Sequence, residues 1–292
     1  MITLQLMGGL GNQMFQYAFA RSLALRNGTS LRLSRYYFRD DYFKRSYALN
    51  NLSLPDEVGL MTSTSEFFTK KLFNLLRLFA EDKDNFYNDR VIVLDDSNRY
   101  EPEFMRVGFV RNNIIVRGYF QAWRYFADFD EQIKRELRVS TPPSKDNAAM
   151  MKELASCESV CVHVRRGDYL SLGWSSVCDY EYYRRAIEYI AEKVHDPVFY
   201  FFSNDHTEIE WLKNNWSFDG FNVKYVDLDN PDYEELRLMY SCKHFIVANS
   251  SFSWWGSYLS DNPGKIVCVP SRWVDERPTR EMNLLMPDWK II

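Results

Sequence analysis

No stretch of this chain approaches the roughly 20 consecutive apolar residues of a membrane span. Cysteine is sparse. The five residues Cys157, Cys161, Cys178, Cys242 and Cys268 are odd in number and form no Cys-x-x-Cys pair, which argues against a disulfide framework and fits free thiols in a reducing cytosol. The opening Ile2-Thr3-Leu4-Gln5-Leu6 has neither the basic nor the long apolar region of a signal peptide. A cytoplasmic protein is therefore expected, and Asn-x-Ser/Thr triplets such as Asn27-Gly28-Thr29 are chance matches. There is no basic excess: 36 Lys and Arg stand against 40 Asp and Glu, a formal net charge of -4. A nucleic acid would meet no overall basic field. An anionic ligand must be held by a local cluster. Internal repeats and low-complexity tracts are also missing.

What the chain does have is aromatic side chains, 21 Phe, 19 Tyr and 8 Trp in 292 residues. Most belong to the core, but amphipathic rings in excess also grip sugars and planar bases. The break at Ser140-Thr141-Pro142-Pro143-Ser144 divides the sequence into expected domains 1–143 and 144–292. The first opens as a strand (Ile2 to Leu6), a glycine turn and a helix from Asn12 to Arg26. An irregular aromatic and basic segment from Ser34 to Tyr47 follows. A helix over Glu66 to Ala80 carries Lys70, Lys71 and Arg77 among Phe and Leu. It has two readings, packing on its own domain, which is preferred, or peripheral contact with a membrane face. A strand at Asn113 to Arg117 and a helix near Ala127 to Leu137 complete this half.

From Val160 onward short apolar strands alternate with helical stretches, the pattern of a doubly wound parallel sheet with helices on both faces. Ligands of such sheets sit beyond the carboxyl ends of the strands. Three motifs fall there. In Val162-His163-Val164-Arg165-Arg166-Gly167-Asp168-Tyr169, alternation along an extended chain puts His163 and Arg165 on one side. A permanently charged guanidinium suits a pyrophosphate. Arg166 points the other way and reads as a supporting residue. The second motif, Phe202-Ser203-Asn204-Asp205, offers short polar groups to a base edge or ribose, or equally a helix cap. The third, Ser250-Ser251-Phe252-Ser253-Trp254-Trp255-Gly256, is a hydroxyl-rich turn opening a helix, a ready anion site; Trp254 and Trp255 read as core.

Gly8-Gly9-Leu10-Gly11-Asn12-Gln13 fails both the dinucleotide fingerprint and the P-loop, leaving a close-approach loop at a helix start. Asp227-Leu228-Asp229 has the acid-x-acid form of some metal-dependent sugar-nucleotide enzymes, but two acids at that spacing are common by chance. His195, His206 and His244 have no ligand spacing between them and read as structural.

Taken in order, Gly8 to Ala18 (GGLGNQMFQYA), Gly118 to Gln121 (GYFQ), His163 to Tyr169 (HVRRGDY), Phe202 to Asp205 (FSND) and Ser250 to Gly256 (SSFSWWG) resemble the signature of the alpha-1,2-fucosyltransferases, glycosyltransferase family 11, in a bacterial form. The resemblance implies an α/β fold of GT-B type, two Rossmann-like domains facing a cleft, the first on the acceptor side and the second binding GDP-L-fucose. It implies inverting transfer of L-fucose to the 2-hydroxyl of a galactose-type residue, with no metal and no resident cofactor. By position, Arg165 contacts the pyrophosphate with His163 beside it, and Asn204 or Asp205 holds the guanine or ribose. Ser250, Ser251 and Phe252 close around the phosphates, while Gly9, Gly11 and Asn12 line the cleft. Asp168, the nearest carboxylate, is either the base that takes the acceptor proton or a partner of the arginines. Tyr36, Tyr37, Tyr42 and Trp123 are candidates for the acceptor cleft. A metal-dependent transferase using another sugar nucleotide and a non-catalytic nucleotide- or glycan-binding protein remain as alternatives.

Overall fold

The computed structural model describes residues 1–39, 45–80, 85–87, 91–94, 114–167, 169, 177–273 and 278–292. Two compact units, Met1–Ser140 and Thr141–Ile292, divide the chain at the Thr-Pro-Pro break.

The first unit is built on β1 (Ile2–Gln5), β2 (Leu31–Ser34), β3 (Gly59–Leu60), β4 (Asn85–Tyr87), β5 (Val91–Leu94) and β6 (Ile114–Gly118). Their order is β3-β2-β1-β6-β5-β4. All neighbours run parallel except β4 and β5. Every residue of β1 is buried, as a central parallel strand covered on both faces must be. Helix α1 (Leu10–Arg26) follows it and is buried on nearly all sides, a core helix rather than a surface one. The segment read as irregular contains β2's last residue and a 3-10 turn at Tyr36–Arg39, and residues 40–44, with Tyr42, lie outside the described residues.

Helix α2 (Ser63–Leu78) begins ahead of the expected start because Thr62 caps it, its hydroxyl accepting from Ser65 N at 3.3 Å. The helix packs on its own domain, as preferred, through Phe73 and Leu76 against Ile115 and through Glu66, which accepts from Arg35 N at 2.6 Å and pairs with Arg39. Only Glu66 and Phe73 of α2 are buried, and most of its other large apolar residues face away from the sheet. The stretch expected as one helix near Ala127 is a 3-10 turn, Ala127–Phe129, leading into α3 (Asp130–Glu136).

The second unit starts with α4 (Lys145–Ser156), whose N-cap Ser144 accepts from Asn147 N at 3.1 Å. Then come β7 (Glu158–His163), α5 (Tyr180–Ala191), β8 (Pro197–Phe202), α6 (His206–Asn215), β9 (Asn222–Tyr225), α7 (Asp232–Tyr240), β10 (His244–Ile246), α8 (Ser251–Tyr258), β11 (Val267–Val269) and β12 (Lys290–Ile291). The sheet order is β12-β11-β10-β7-β8-β9, parallel throughout. This is the doubly wound order, with β7 central and the chain reversing direction across the sheet between β7 and β10. Val160, Val162 and Val164 pack with Phe199, Phe201 and Ile246 beneath the Tyr183 and Ile187 side of α5. Asp179 caps that helix through Tyr182 N at 2.9 Å.

Polar side chains hold α1 to α3 in the first unit. Glu136, 5% exposed, accepts from Tyr17 Oη at 2.5 Å and from Arg21 Nη2 at 2.9 Å, and Arg21 also reaches Glu57 at 2.7 Å. Burial, reinforced by Glu136, pushes the Tyr17 phenol far up. Removing one member leaves a buried charge without its partner. Glu136→Ala should therefore lower stability by about 3–5 kcal/mol, read as a shifted urea midpoint.

Candidate active site

In a doubly wound sheet the strand loops part at the reversal point, opening a crevice at the carboxyl ends. In the second unit that point lies between His163, the last residue of β7, and the turn after β10. The edge is locked by Val164 N, which donates to Phe202 O at 2.8 Å, and by the Ser203 hydroxyl, which donates to Val164 O at 2.9 Å. The turn after β10 is tied in by Tyr169 Oη to Asn249 O at 3.1 Å and Tyr182 Oη to Val247 O at 2.7 Å. The three motifs picked out in the second half of the sequence thus share one edge.

His163 is 2% exposed, its Nδ1 buried with no hydrogen-bond partner, and its ring centroid is 5.9 Å from that of Phe252. Burial, with help from the Arg165 charge, pushes the imidazole down to about 3. It is uncharged at any working pH. The Arg165 guanidinium carbon sits 5.4 Å from the Tyr169 ring centroid. Arg166 does turn away: its Nε donates to Glu208 at 3.0 Å and its guanidinium lies 3.2 Å from the centroid of the Trp211 ring, so it clamps α6. Asp168 lies outside the described residues.

Asn204 has a buried Oδ1 without a partner. It presses on Gly167, where a Cβ would come within 2.7 Å of its Nδ2. Asp205 is exposed and caps α6, accepting from Glu208 N at 3.1 Å. Ser250 is the N-cap of α8 yet makes no side-chain capping bond. Ser253 turns inward instead, accepting from Ala248 N at 3.0 Å. Ser251 and Phe252 open the helix, and Trp254 and Trp255 are fully buried behind it, Trp254 donating to Leu284 O at 2.7 Å.

The first sheet reverses between β1 and β6, and the two N-terminal motifs meet there. Gln121 Nε2 donates to Asn12 Oδ1 at 2.7 Å. Gly8 has φ +76, and a Cβ on it would lie 2.7 Å from Asn12 Nδ2, so only glycine fits comfortably. Gly9 and Gly11 flank the start of α1, Gly11 buried in its first turn. Phe120 also takes a positive φ, +50, held by stacking on Phe19 at 4.0 Å. Two glutamines that sequence reading passed over organise the loop. Gln13 Nε2 donates to Gly8 O at 2.9 Å and Ser46 O at 2.8 Å, and Gln16 bonds both Met7 N and Met7 O, at 3.0 and 3.1 Å. Of the aromatic candidates, Tyr36 lies under Lys70 Nζ at 4.1 Å, Tyr37 under Arg117 at 4.9 Å, and Trp123 near Arg124 at 5.8 Å.

His206, read as structural, gathers with Glu210 and Asp227, their ligand-type atoms within 4.8 Å of one another. Lys213 already supplies a cation, 2.6 Å from Glu210 and 3.9 Å from Asp227. Asp229 is not in the cluster, so the acid-x-acid pair does not converge there.

The second unit thus presents an arginine, a neutral histidine and a helix N-terminus at its reversal point, an arrangement suited to an anion. The Glycosyl transferase family 11 model matches residues 99–292. The chain belongs to that family and is a glycosyltransferase of the fucosyltransferase kind. It is 28% identical over 295 residues to an alpha-1,2-colitosyltransferase of Escherichia coli, spanning 99% of this chain and 97% of that one. It is 25% identical to human galactoside alpha-(1,2)-fucosyltransferase 1, over 87% of this chain and 64% of that protein. Among solved structures the fucosyltransferase NodZ from Bradyrhizobium superposes with a TM-score of 0.53 at 14% identity, covering 90% of this chain and 96% of that one; NodZ, named there an alpha-1,6-fucosyltransferase, has also been co-crystallised with GDP. The expected α/β architecture of GT-B type is borne out by this fold.

One titratable group was not legible in the sequence. Glu235 on α7 is half-buried as a residue, but its carboxyl is enclosed, and burial pushes it up to about 8 against a bond from Asn230 that lowers it. The folded chain therefore keeps a proton that the unfolded chain releases near 4.5. Stability contributed by this group is full at acid pH and is lost as pH rises from 4.5 through about 8. Between about pH 6 and about pH 8.5 the wild-type Tm should fall more steeply than that of Glu235→Gln; parallel curves would contradict this.

Proposed function

We propose that the protein transfers L-fucose from GDP-L-fucose, with inversion, to the 2-hydroxyl of a galactose-type residue on a glycan. The observation that carries the reading is the edge at β7, β8 and β10. An arginine, a buried imidazole whose Nδ1 has no partner and an α8 N-terminus without a side-chain cap stand together there. The alpha-(1,2) names of the relatives support the linkage, and the GDP co-crystal of NodZ supports the nucleotide.

In this reading Arg165 faces the pyrophosphate. The acceptor O2 attacks C1 of fucose from the face opposite the phosphate, the C1–O bond to the β-phosphate breaks, and its electron pair leaves with GDP. Charge grows on the leaving oxygen, where a fixed guanidinium is most effective. Being neutral, His163 cannot share that load. It directs Nδ1 to a phosphate or ribose oxygen, while the first amides of α8 at Ser251 and Phe252 add the positive end of the helix dipole. Asn204 is a stronger base or ribose contact than Asp205, because its Oδ1 is buried without a partner and Asp205 is occupied in capping. Asp168 is assigned as the base that receives the O2 proton. Gly9, Gly11 and Asn12 serve the first unit's side of the reaction. Metal is assigned no part in the reaction: Arg165 meets the leaving charge, and Lys213 meets that of the His206 cluster.

Arg165→Ala should reduce transfer of fucose from GDP-fucose to lactose by about 10² or more while circular dichroism stays unchanged; near-normal turnover would defeat the assignment. Arg166→Ala should act on Tm first. Turnover in excess EDTA should be retained, and complete loss restored by Mn would revive the metal-dependent alternative. Offering colitosyl and fucosyl donors in parallel, with products read by mass spectrometry, tests the sugar.

A further inference from the structure

Apart from Met1 and Leu60, every exposed large hydrophobic side chain among the described residues belongs to α2 or to Phe79 directly after it. Phe68 is 64% exposed, Leu75 52%, Leu78 70% and Phe79 82%. At about 100° per residue, Phe67, Phe68, Leu72, Leu75 and Leu78 share one arc of about 140°, opposite the buried Phe73 and Glu66. The exposed charge on this helix is of one sign: Lys71 is exposed, Lys70 and Arg77 are half-buried toward the other side, Lys70 donating to Tyr36 Oη, and its one acid, Glu66, is 2% exposed and ion-paired with Arg39.

Lys71 stands inside the apolar arc, its Nζ 4.5 Å from the Phe67 ring centroid. A lysine in the middle of a dry protein interface is disfavoured. The same lysine suits a lipid surface, where its methylenes lie along the apolar face and its ammonium reaches the headgroups. No helix among the described residues is long and apolar enough to cross a membrane, so the arrangement lies on a bilayer rather than through it. We propose that α2 is an interfacial helix that seats the protein on a bilayer bearing anionic headgroups, with Phe68, Leu75 and Phe79 immersed at the acyl boundary and Lys71 at headgroup level.

The test is co-sedimentation of the full chain with vesicles of phosphatidylethanolamine and phosphatidylglycerol, against vesicles of phosphatidylcholine alone. Pelleting with the anionic vesicles is expected, weakened by salt and reduced roughly tenfold or more by Leu75→Glu. Lys71→Glu, which leaves the apolar side chains in place, should lower binding to anionic vesicles alone. Both variants should keep the wild-type Tm and turnover on a soluble acceptor. Absence of pelleting with anionic vesicles, or pelleting that neither variant changes, would overturn the proposal. So would a concentration-dependent dimer seen by light scattering that Leu75→Glu dissolves while vesicle binding is absent.

Discussion

Parallel strand pairing is the constraint from which the rest of this structure follows. Because neighbouring strands in the second unit all point the same way, every connection must cross back over a face, and every carboxyl end arrives at the same edge. The ladder from β9 through β7 to β12 therefore delivers three loops that are far apart in sequence to one line, with β7 at its centre. The topology leaves that edge uncovered where the winding reverses. The first unit obeys the same rule, with the Gly8 to Gln13 turn and the Gly118 to Gln121 segment meeting beside β1.

Electrostatics at the edge depends on a division of labour between adjacent residues. Arg165 and Arg166 are neighbours in sequence, yet alternation along the extended chain sends them to different tasks. Arg166 is fixed by Glu208 and by the face of Trp211, so the position of α6, and with it Asn204 and Asp205, is referenced to the same short segment that carries Arg165. Burial takes the charge from His163. The net acidity of the chain would be no obstacle to an anion there, since one guanidinium and one helix end supply a local positive potential.

Much of the second unit was legible because its signals are local. Apolar runs give β7 and β8, and Asp179 and Asp205 announce α5 and α6 as caps. Helix α4 went unread because only Asn147 and Leu154 among its residues are buried, which leaves little apolar period to detect. Strands β3 and β12 have two residues each, too short for any periodicity. At the site, the glycines and arginines were visible as types in a pattern, whereas Gln13 and Gln16 were not, nor was the buried Glu235 carboxyl elsewhere in the second unit. A glutamine or glutamate inside a helical pattern reads as surface, and only the tertiary neighbours reveal that the two glutamines are fully enclosed. Tyr36 and Tyr37 illustrate the converse, rings whose aromatic character was plain but whose cation partners, Lys70 and Arg117, come from distant segments.

The amides of Gln13 and Gln16 have a consequence for how a ligand would be received. They take the place of a neighbouring strand, answering the N–H and C=O of Met7 and the C=O of Gly8 from the side. A glycine-containing turn would ordinarily surrender conformational freedom at the moment of contact, and that loss would subtract from affinity. Here the freedom is already gone when the chain has folded. A ligand received there would meet a turn already fixed, and selectivity would lie in that shape rather than in an adjustment made on arrival.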